Sequence, residues 1–390
     1  MLKLQFVKEK IWFKILIFFV AWQIIVVSIT LFSTARITQV NQGRFESSSG
    51  LTERYHQFYN HNDTVHYIEI AKNGYGDTEN PAPAFFPLYP ILIRFVHVAT
   101  GIEWINSALL ISFISSYFAF YFFYLLALSY FKNDEKNAKK ALLLFMFFPT
   151  AMFMAAGYTE ALFCAIGFAA IYYARNKNWF VASVLAASVT AVRFPGIIFA
   201  IAVFLEYLCS INFNWKKIGK EAWPFLIAPL GLAFYIVYLF NKFHDPLFFI
   251  HAQSIGWSYQ VRNLNIFSTF LTEMKDGISH LTAKKDGWME PFMVELTFFA
   301  FWVLTFIVGI LGFKKMRPSY LFIIFATLFL VCSSSNFVSV NRYVLPIFPI
   351  YLILVEKSKD RESLFSIILV IFAMGFALFN LLFATERWIG

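Results

Sequence analysis

The stretch of sequence that decides the class of this protein is residues 141–174, ALLLFMFFPTAMFMAAGYTEALFCAIGFAAIYYA. It contains 34 residues and one charged side chain, that of Glu160. A single helix of this length would measure about 51 Å, whereas the hydrocarbon core of a membrane is about 30 Å thick. The stretch is therefore predicted to cross a membrane twice, as a hairpin whose tip lies at residues 157–160.

The composition of the whole chain agrees with a membrane protein. Of its 390 residues, 59% are hydrophobic and 14% are charged. Soluble domains are roughly 45–50% apolar and carry about a quarter charged residues. A soluble fold could not bury this much apolar surface. The composition excludes a cytosolic enzyme, a nucleic-acid-binding module, a disulfide-rich secreted domain and a disordered chain, so no nucleic acid is expected among the partners.

The charged residues also predict the orientation of the chain. The net charge is +9, and basic residues flank the apolar runs, as expected for loops that face the cytoplasm. Three lysines within residues 1–10 precede the first apolar run, 11–34, which is too long for the hydrophobic part of a cleaved signal peptide. We therefore expect an uncleaved first span and a cytoplasmic N-terminus.

Two further runs repeat the pattern of the first hairpin. Residues 178–210 have basic flanks and a break at residues 193–196, and residues 318–355 have basic flanks and an interior break that begins at 333. If the flanks face the cytoplasm, every tip faces the opposite side. Charged residues from distant parts of the sequence are then expected to meet on the non-cytoplasmic face: Asp63, Glu160, Arg193 and Arg342.

We predict an all-α polytopic membrane protein that forms a single integral-membrane domain, residues 1–390, with external loops at about 35–104 and 242–290. The first external loop is expected to contain helix. Residues 85–101 hold two prolines and two basic residues, and we expect them to lie on or dip into the outer face. The eleven expected crossings are 11–34, 105–131, two within 141–174, two within 178–210, 222–241, 291–313, 318–333, 344–355 and 364–384.

The first external loop contains a carboxylate and an imidazole one helical turn apart, Asp63 and His66. Such a pair could act as a general base and the group that orients it. It could also form part of a metal site, although no third ligand is evident. The alternative is structural, since Asp commonly caps the first turn of a surface helix.

Three charges near membrane depth need an explanation of their own. Glu160 interrupts an apolar run, and a carboxylate there is costly unless it has a function or reaches headgroup water at a turn. Arg193 and Arg342 carry guanidinium groups that match phosphate oxygens in a bidentate manner. The alternative for the arginines is that their side chains extend to the lipid headgroups.

The second polar stretch begins with residues 241–253, which mix polar and aromatic side chains, and Trp257 follows. The pattern suits an amphipathic surface helix, a carbohydrate contact through stacked rings, or an interfacial aromatic belt. The chain contains no Walker loop or other nucleotide-binding motif. The usual means of binding a nucleotide is therefore missing from the sequence.

Several segments between residues 55 and 350 together resemble a known family. The segments are Asp63-Thr64-Val65-His66-Tyr67 with Ile70-Ala71 and Gly74-Tyr75, Phe85-Phe86-Pro87-Leu88-Tyr89-Pro90, Phe148-Pro149-Thr150-Ala151, Tyr158-Thr159-Glu160-Ala161-Leu162-Phe163, Arg193-Phe194-Pro195-Gly196, His244–Gln253, and Asn341-Arg342-Tyr343. In this order they are similar to the motifs of PIG-V-type mannosyltransferases. The chain departs from the family pattern at Asn62, where the family has Trp, and at Phe194-Pro195, where it has Ser-Asn.

The resemblance implies a GT-C fold with a catalytic first external loop. It also implies transfer of a hexose, most simply mannose, from a polyprenyl-phosphate-linked donor to a lipid-linked or cell-surface glycan acceptor. The catalytic residues would be Asp63, His66 and Glu160. A divalent cation, Mg²⁺ or Mn²⁺, held by Asp63 and Glu160 is an additional hypothesis. The residues expected to bind the substrate or its phosphate are Arg193, Arg342, Tyr158, Gln253 and Tyr343.

Two other functions remain open at this stage. A transporter or flippase of lipid-linked saccharides would also use intramembrane charges, but it predicts paired sequence halves, and none is found. A non-catalytic membrane subunit of a glycan assembly complex can be distinguished only by assay. In each case membrane lipids are expected partners, in the plasma membrane of a prokaryote or the endoplasmic reticulum membrane of a eukaryote.

Overall fold

The computed structural model describes residues 2–36, 59, 62–78, 80–257, 271, 275, 279, 289–332 and 339–384. Within these ranges the secondary structure is entirely helical, so the predicted all-α class is confirmed. Short 3₁₀ helices lie at Ala82–Ala84, Ala151–Met154, Trp215–Lys217 and Lys220–Leu226. The α-helices are α1 (Leu2–Arg36), α2 (Asp63–Asn73), α3 (Leu88–Thr100), α4 (Trp104–Tyr130), α5 (Glu135–Met146), α6 (Glu160–Arg175), α7 (Trp179–Thr190), α8 (Gly196–Ser210), α9 (Leu230–Phe243), α10 (Phe248–Trp257), α11 (Met289–Gly312), α12 (Pro318–Cys332), α13 (Val340–Val344), α14 (Pro349–Ser358) and α15 (Glu362–Ala384).

Four helical segments of the described chain are long and apolar enough to cross a membrane. They coincide with the crossings predicted at 11–34, 105–131, 222–241 and 364–384. The other predicted crossings correspond to shorter helices or to helices only partly described, so the total of eleven stays a prediction. The four segments are Ile11–Ser33, Trp104–Tyr130, Lys220–Phe243 and Glu362–Ala384.

The hairpin predicted for 141–174 turns where expected, but its first limb is not one helix. Helix α5 runs antiparallel to α4 and ends at Met146, whose carbonyl accepts a hydrogen bond of 2.8 Å from the indole N–H of Trp22. Pro149 follows three residues later and disfavours further helix. The limb therefore continues as irregular chain with one 3₁₀ helix, which the apolar composition alone could not show.

Serine side chains of α4 support this irregular limb. The hydroxyl of Ser116 donates to the carbonyl of Met154 at 2.6 Å, and that of Ser112 donates to the carbonyl of Tyr158 at 3.3 Å. These bonds satisfy backbone groups that have no helical partner inside an apolar environment. The chain turns at residues 157–160, and α6 then returns along α4.

The second hairpin is confirmed, with α7 and α8 joined by a break at residues 191–195. The two helices approach closely at Gly196, where an added Cβ would lie 2.3 Å from the carbonyl oxygen of Val189. Only glycine permits this approach. Arg193 lies within the break and is therefore held at the same end of the bundle as Glu160, the first residue of α6.

The third predicted hairpin is more interrupted than expected. The short helix α13 carries Arg342, and α14 begins only at Pro349 rather than at residue 344. Prolines at 346 and 349 explain the delay, because proline is tolerated at the start of a helix but not in its interior. Helix α14 ends at Ser358, close to the expected inner end. The predicted break at 333–336 lies outside the described residues.

Helix α3 accounts for the segment 85–101. Tyr89 and Ile93 are fully buried against the rest of the molecule, whereas Ile91, Phe95 and Val98 are exposed. An outward apolar stripe of this kind suits contact with lipid. The placement of α3 on or in the outer face remains a prediction.

A second group of charges lies at the opposite ends of α6, α8 and α12. The carboxylate of Glu206 is buried and accepts hydrogen bonds from Nε (3.0 Å) and Nη2 (2.9 Å) of Arg317. It also accepts one from the hydroxyl of Ser319, and Nη1 of Arg175 lies 3.7 Å away. We call these four residues the Glu206 cluster. Since α6 spans Glu160 to Arg175, the cluster lies roughly 20 Å from Glu160.

The Glu206 cluster is expected to stabilise the bundle without taking part in its chemistry. Replacing Glu206 with Gln removes the buried charge that Arg317 contacts twice, at a cost of about 2 kcal/mol. The matched control is Glu356→Gln, because Glu356 pairs with exposed lysines and such pairs contribute at most about 1 kcal/mol. We expect a clearly larger decrease in thermal unfolding midpoint for Glu206→Gln in detergent. Equal decreases would contradict this account.

Candidate active site

Asp63, Glu160, Arg193 and Arg342 meet in one buried group, which we call the acid–arginine cluster. Nε of Arg342 donates to Oε1 of Glu160 at 2.7 Å, and Nη2 of Arg342 donates to Oδ2 of Asp63 at 2.7 Å. Nη1 of Arg193 donates to the same Oε1 at 2.6 Å. The structure thus brings together four residues that the charge pattern had placed on one face.

Asp63 reaches the cluster from α2, of which it is the first residue. The residue in the capping position is Asn62, and no side-chain cap hydrogen bond is formed there. The carboxylate of Asp63 instead contacts Arg342. The alternative that Asp63 is a helix cap is therefore wrong, and the residue is available to the cluster.

Glu160 begins α6, where the helix dipole favours a negative charge. Its side chain is 1% exposed, so the alternative of a turn residue in headgroup water is wrong. One oxygen, Oε1, accepts from both arginines. The other, Oε2, is buried and has no hydrogen-bond partner among the described residues. An unpaired carboxylate oxygen inside a protein is costly, and it is a natural contact for a hydroxyl of a ligand or for water.

Aromatic rings hold both guanidinium groups in place. The guanidinium carbon of Arg342 lies 5.0 Å from the ring centre of Phe153 and 4.8 Å from that of Tyr158, and that of Arg193 lies 5.2 Å from the ring of Tyr343. Cation–π contacts of this length are favourable, more so away from water. The side chains of Arg342 and Arg193 are only 6% and 17% exposed, so neither extends to lipid headgroups.

The Tyr158 hydroxyl is a second buried polar atom without a hydrogen-bond partner among the described residues. It belongs to the side chain whose ring packs against the guanidinium group of Arg342. The hydroxyl of Thr150 donates to the carbonyl of Asn341 at 2.9 Å and so anchors α13, the helix that carries Arg342. The site therefore has a firm frame and two unsatisfied polar atoms.

The cluster is closed as the structure shows it. Its two acids balance its two arginines, and the adjoining cavity measures about 10 Å³, room for roughly one water molecule. A hexose does not fit inside this cavity as it stands. The cavity is lined by Glu160, Phe163, Cys164, Arg193, Pro195, Phe199, Thr327, Arg342, Tyr343 and Pro346.

A divalent cation does not suit this arrangement. Both carboxylates that could bind it, those of Asp63 and Glu160, are bonded to Arg342. No group of three or more His, Cys, Asp or Glu side chains could hold a metal within the described ranges. We therefore derive no chemical step through a metal ion.

Four of the predicted site residues do not line the cavity. Asp63 and Tyr158 contact Arg342 from outside it, whereas His66 and Gln253 make other contacts. The ring of His66 stacks on Phe85, with 4.8 Å between ring centres. Gln253, in α10, donates from its amide to the carbonyl of Phe249 at 3.4 Å. Neither residue lines the cavity described above. Helical spacing and motif order suggested them, but neither reports which way a side chain points.

The aromatic residues of the second polar stretch are mainly core. Phe249 is 2% exposed and packs against Phe86, Phe194 and Tyr235. The hypothesis of a stacked-ring carbohydrate surface is therefore wrong for Phe249. The side chain of Trp257 lies outside the described residues. The contacts support a role for α10 in bracing the segment around Phe86 and the break that holds Phe194.

Sequence reasoning missed Phe153, which packs under Arg342. It lies in an uninterrupted apolar run, so nothing in the sequence distinguishes it from its neighbours. Tyr67 belongs to the same sequence motif as Asp63, and its hydroxyl lies 3.3 Å from Oγ1 of Thr159, the residue before Glu160. That link between two predicted motifs could have been found only in three dimensions.

These features define a polytopic helical membrane protein with a buried site of paired acids and arginines at the ends of its helices. The chain belongs to the PIG-V mannosyltransferase family: the family model described as Mannosyltransferase (PIG-V) matches residues 4–245, more than half of the chain. The matched range includes Asp63, Glu160 and Arg193. The resemblance found in the sequence motifs is therefore confirmed.

Two characterised relatives are similar in sequence over part of their length. GPI mannosyltransferase 2 of Schizosaccharomyces pombe is 26% identical over 159 residues, which cover 40% of this chain and 33% of that protein. GPI alpha-1,6-mannosyltransferase 2 of Homo sapiens is 32% identical over 146 residues, 35% of this chain and 29% of that protein. The alignments thus span about a third of the length of these relatives.

One solved structure is similar in its overall arrangement. It is the Archaeoglobus fulgidus oligosaccharyltransferase, crystallised with a tethered acceptor peptide. The comparison covers 95% of this chain and 55% of that one, with a TM-score of 0.43 and 13% sequence identity.

Proposed function

We propose that the chain is a membrane mannosyltransferase. It moves a mannose from a polyprenyl-phosphate-linked donor to a lipid-linked or cell-surface glycan acceptor, on the non-cytoplasmic face of the membrane. The membrane would be the plasma membrane in a prokaryote and the endoplasmic reticulum membrane in a eukaryote. Family membership supports the class of reaction. The acid–arginine cluster supports the assignment of the site.

The single observation that carries the proposal is the position of Arg342 between two acids. Its guanidinium bonds Asp63 on one side and Glu160 on the other, each at 2.7 Å. A group that can bind phosphate therefore lies directly beside a group that can accept a proton. A single inverting transfer from a phosphate needs these two functions on opposite faces of the anomeric carbon, within the length of one sugar of each other.

The leaving group of the donor is a phosphate. The phosphodiester carries one negative charge, and it gains a second as its bond to the anomeric carbon breaks. Arg193 and Arg342 offer guanidinium N–H groups in the fork geometry that matches phosphate oxygens. Charge that develops in a site shielded from water is stabilised most strongly by such fixed donors. No nucleotide pocket is required.

Asp63 is the better placed of the two acids to act as the base. Its side chain is 23% exposed, whereas that of Glu160 is 1% exposed. An acceptor hydroxyl can therefore reach Asp63. The carboxylate takes the hydroxyl proton, the hydroxyl oxygen forms a bond to the anomeric carbon, and the phosphate leaves with the electrons of the broken bond. A single displacement of this kind inverts the configuration of the sugar.

The remaining residues have supporting roles in this proposal. Glu160 holds both arginines in place through one oxygen and offers the other to a sugar hydroxyl. Tyr158 and Tyr343 pack on the guanidinium groups, and the unpaired hydroxyl of Tyr158 is a second contact for the substrate. His66 stacks on Phe85 and Gln253 bonds to the carbonyl of Phe249, so we propose acceptor contacts for them rather than chemistry.

The proposal is tested with the purified chain in liposomes and two alternative donors, polyprenyl-phosphate mannose and GDP-mannose, with a glycan lipid acceptor. We expect labelled mannose to pass to the acceptor from the lipid-linked donor alone. Transfer from GDP-mannose alone would contradict the assigned phosphate site. Movement of the donor between leaflets without transfer would instead support a flippase. The absence of both transfer and movement would support a non-catalytic subunit.

A further inference from the structure

The helix that carries Asp63 is attached to the segment that carries Glu160 at two points. The first is a close contact between Thr64 and Gly157. A Cβ added to Gly157 would lie 2.6 Å from Cγ2 and 3.0 Å from Oγ1 of Thr64. No side chain other than hydrogen fits at position 157 while Thr64 stays where it is. The contact therefore sets how near α2 can lie to the turn before α6.

The second attachment is the hydrogen bond between the hydroxyls of Tyr67 and Thr159, 3.3 Å long. Both side chains are buried. Burial raises the pKa of Tyr67, so its hydroxyl stays protonated and needs an acceptor. The ring of Tyr67 also packs edge-on against Phe85 and Tyr89, which fixes its direction.

These two attachments are adjacent in sequence to the reacting groups. Thr64 follows Asp63, and Thr159 precedes Glu160. Asn62, on the other side of Asp63, is exposed and has a φ of 52°, outside the helical range. The position of Asp63 relative to Glu160 and Arg342 is thus set by the two attachments that Thr64 and Tyr67 of α2 make.

We propose that Thr64, Tyr67, Gly157 and Thr159 form a positioning clamp that sets the place of the Asp63 carboxylate beside Arg342. The inference rests on the proposed function. The four residues are positioning residues, because they act through Asp63 and Glu160 and line no part of the cavity. Loosening the clamp moves the base relative to the sugar carbon and leaves the two arginines in place. It therefore lowers kcat much more than it raises the KM for the donor.

The first test uses a clash and its relief. Gly157→Ala is expected to lower kcat about 100-fold, the loss that a displacement of about 1 Å can cause. Adding Thr64→Ala removes the atoms that the new methyl group meets, and it is expected to restore at least about a tenth of the wild-type rate. The matched control is Gly309→Ala, whose methyl group meets Ile324 at 3.0 Å between α11 and α12. Failure of Thr64→Ala to rescue a folded Gly157→Ala protein would overturn the clamp.

The second test removes single oxygen atoms, so it does not depend on the folding of Gly157→Ala. Tyr67→Phe and Thr159→Val are each expected to lower kcat about 10-fold. Because both act on one hydrogen bond, the double variant should be no slower than the slower single variant. The control is Tyr117→Phe, which removes a tyrosine bond to the carbonyl of Trp12 far from the site. Additive losses, or a loss as large in the control, would overturn the clamp.

A third measurement tests the contact between Thr64 and Gly157 directly and needs no assay of transfer. The ideal Cβ at position 157 lies 3.4 Å from Cβ of Thr64, near the separation found in disulfides. Thr64→Cys combined with Gly157→Cys should form a disulfide on mild oxidation, detected by peptide mapping. Absence of that disulfide would overturn the contact itself. If the wild-type chain transfers no mannose, the proposed function fails; if the chain is active and the clamp variants match it, only the clamp fails.

Discussion

Asp63→Asn is expected to lower kcat by about 10²–10⁴-fold, the range attributed to a general base, while the KM for the lipid-linked donor changes little. Asparagine has nearly the same shape as aspartate, and its side-chain oxygen can still accept the bond from Arg342. It cannot accept a proton from the acceptor hydroxyl. The measurement is the rate of mannose transfer by the reconstituted variant at saturating acceptor.

The control for this prediction is a second acid that is buried beside an arginine. Glu206→Gln alters the Glu206 cluster in the same chemical way, but roughly 20 Å from Glu160. Its transfer rate per folded molecule should stay close to that of the wild type. Near-normal turnover by Asp63→Asn would remove Asp63 as the base and leave the cluster with a structural role.

Arg342→Gln is expected to lower transfer strongly and also to destabilise the protein. The arginine makes both bonds that join Asp63 to Glu160, and its loss leaves Glu160 with Arg193 as its remaining cluster partner. Removing one member of a buried ion pair costs about 3–5 kcal/mol when the other charge is left uncompensated, and the retained bond from Arg193 should keep the cost below that range. The thermal unfolding midpoint and the transfer rate should both fall, and the KM for the donor should rise.

Two further variants separate these effects. Arg342→Lys keeps the charge but replaces a planar fork with one ammonium group. Compared with Arg342→Gln, it should recover a larger share of the wild-type stability than of the wild-type transfer rate. Arg317→Gln removes an arginine that is bonded twice to buried Glu206, so stability should fall while transfer per folded molecule is kept. Wild-type donor affinity in Arg342→Gln would contradict the assigned phosphate contact.

Much of the arrangement of the site could be predicted from charge and length. The thickness of a membrane forced residues 141–174 and 178–210 to turn back, the break within 318–355 predicted a third turn, and the basic flanks of all three runs placed the turns at one end. These arguments brought Glu160, Arg193 and Arg342 to the same end of the molecule. They depend only on helix geometry and on the asymmetry of basic loops, which is why they succeed without any knowledge of side-chain contacts.

The partners within the site could not be predicted in this way. Periodicity placed His66 on the same face as Asp63, but the ring turns toward Phe85 instead of the cavity. The irregular limb after Met146 depends on Trp22 and on serines of α4, which lie far away in the sequence. The closed state of the cluster depends on side-chain directions, and no sequence pattern records these.

The central claim is that the acid–arginine cluster performs mannose transfer from a lipid phosphate. The most direct measurement gives labelled polyprenyl-phosphate mannose and a glycan lipid acceptor to liposomes that hold equal amounts of folded wild type, Asp63→Asn or Glu206→Gln. We predict glycolipid product from the wild type and Glu206→Gln and at most about one hundredth as much from Asp63→Asn. Equal product from all three proteins, or none from the wild type, would contradict the claim.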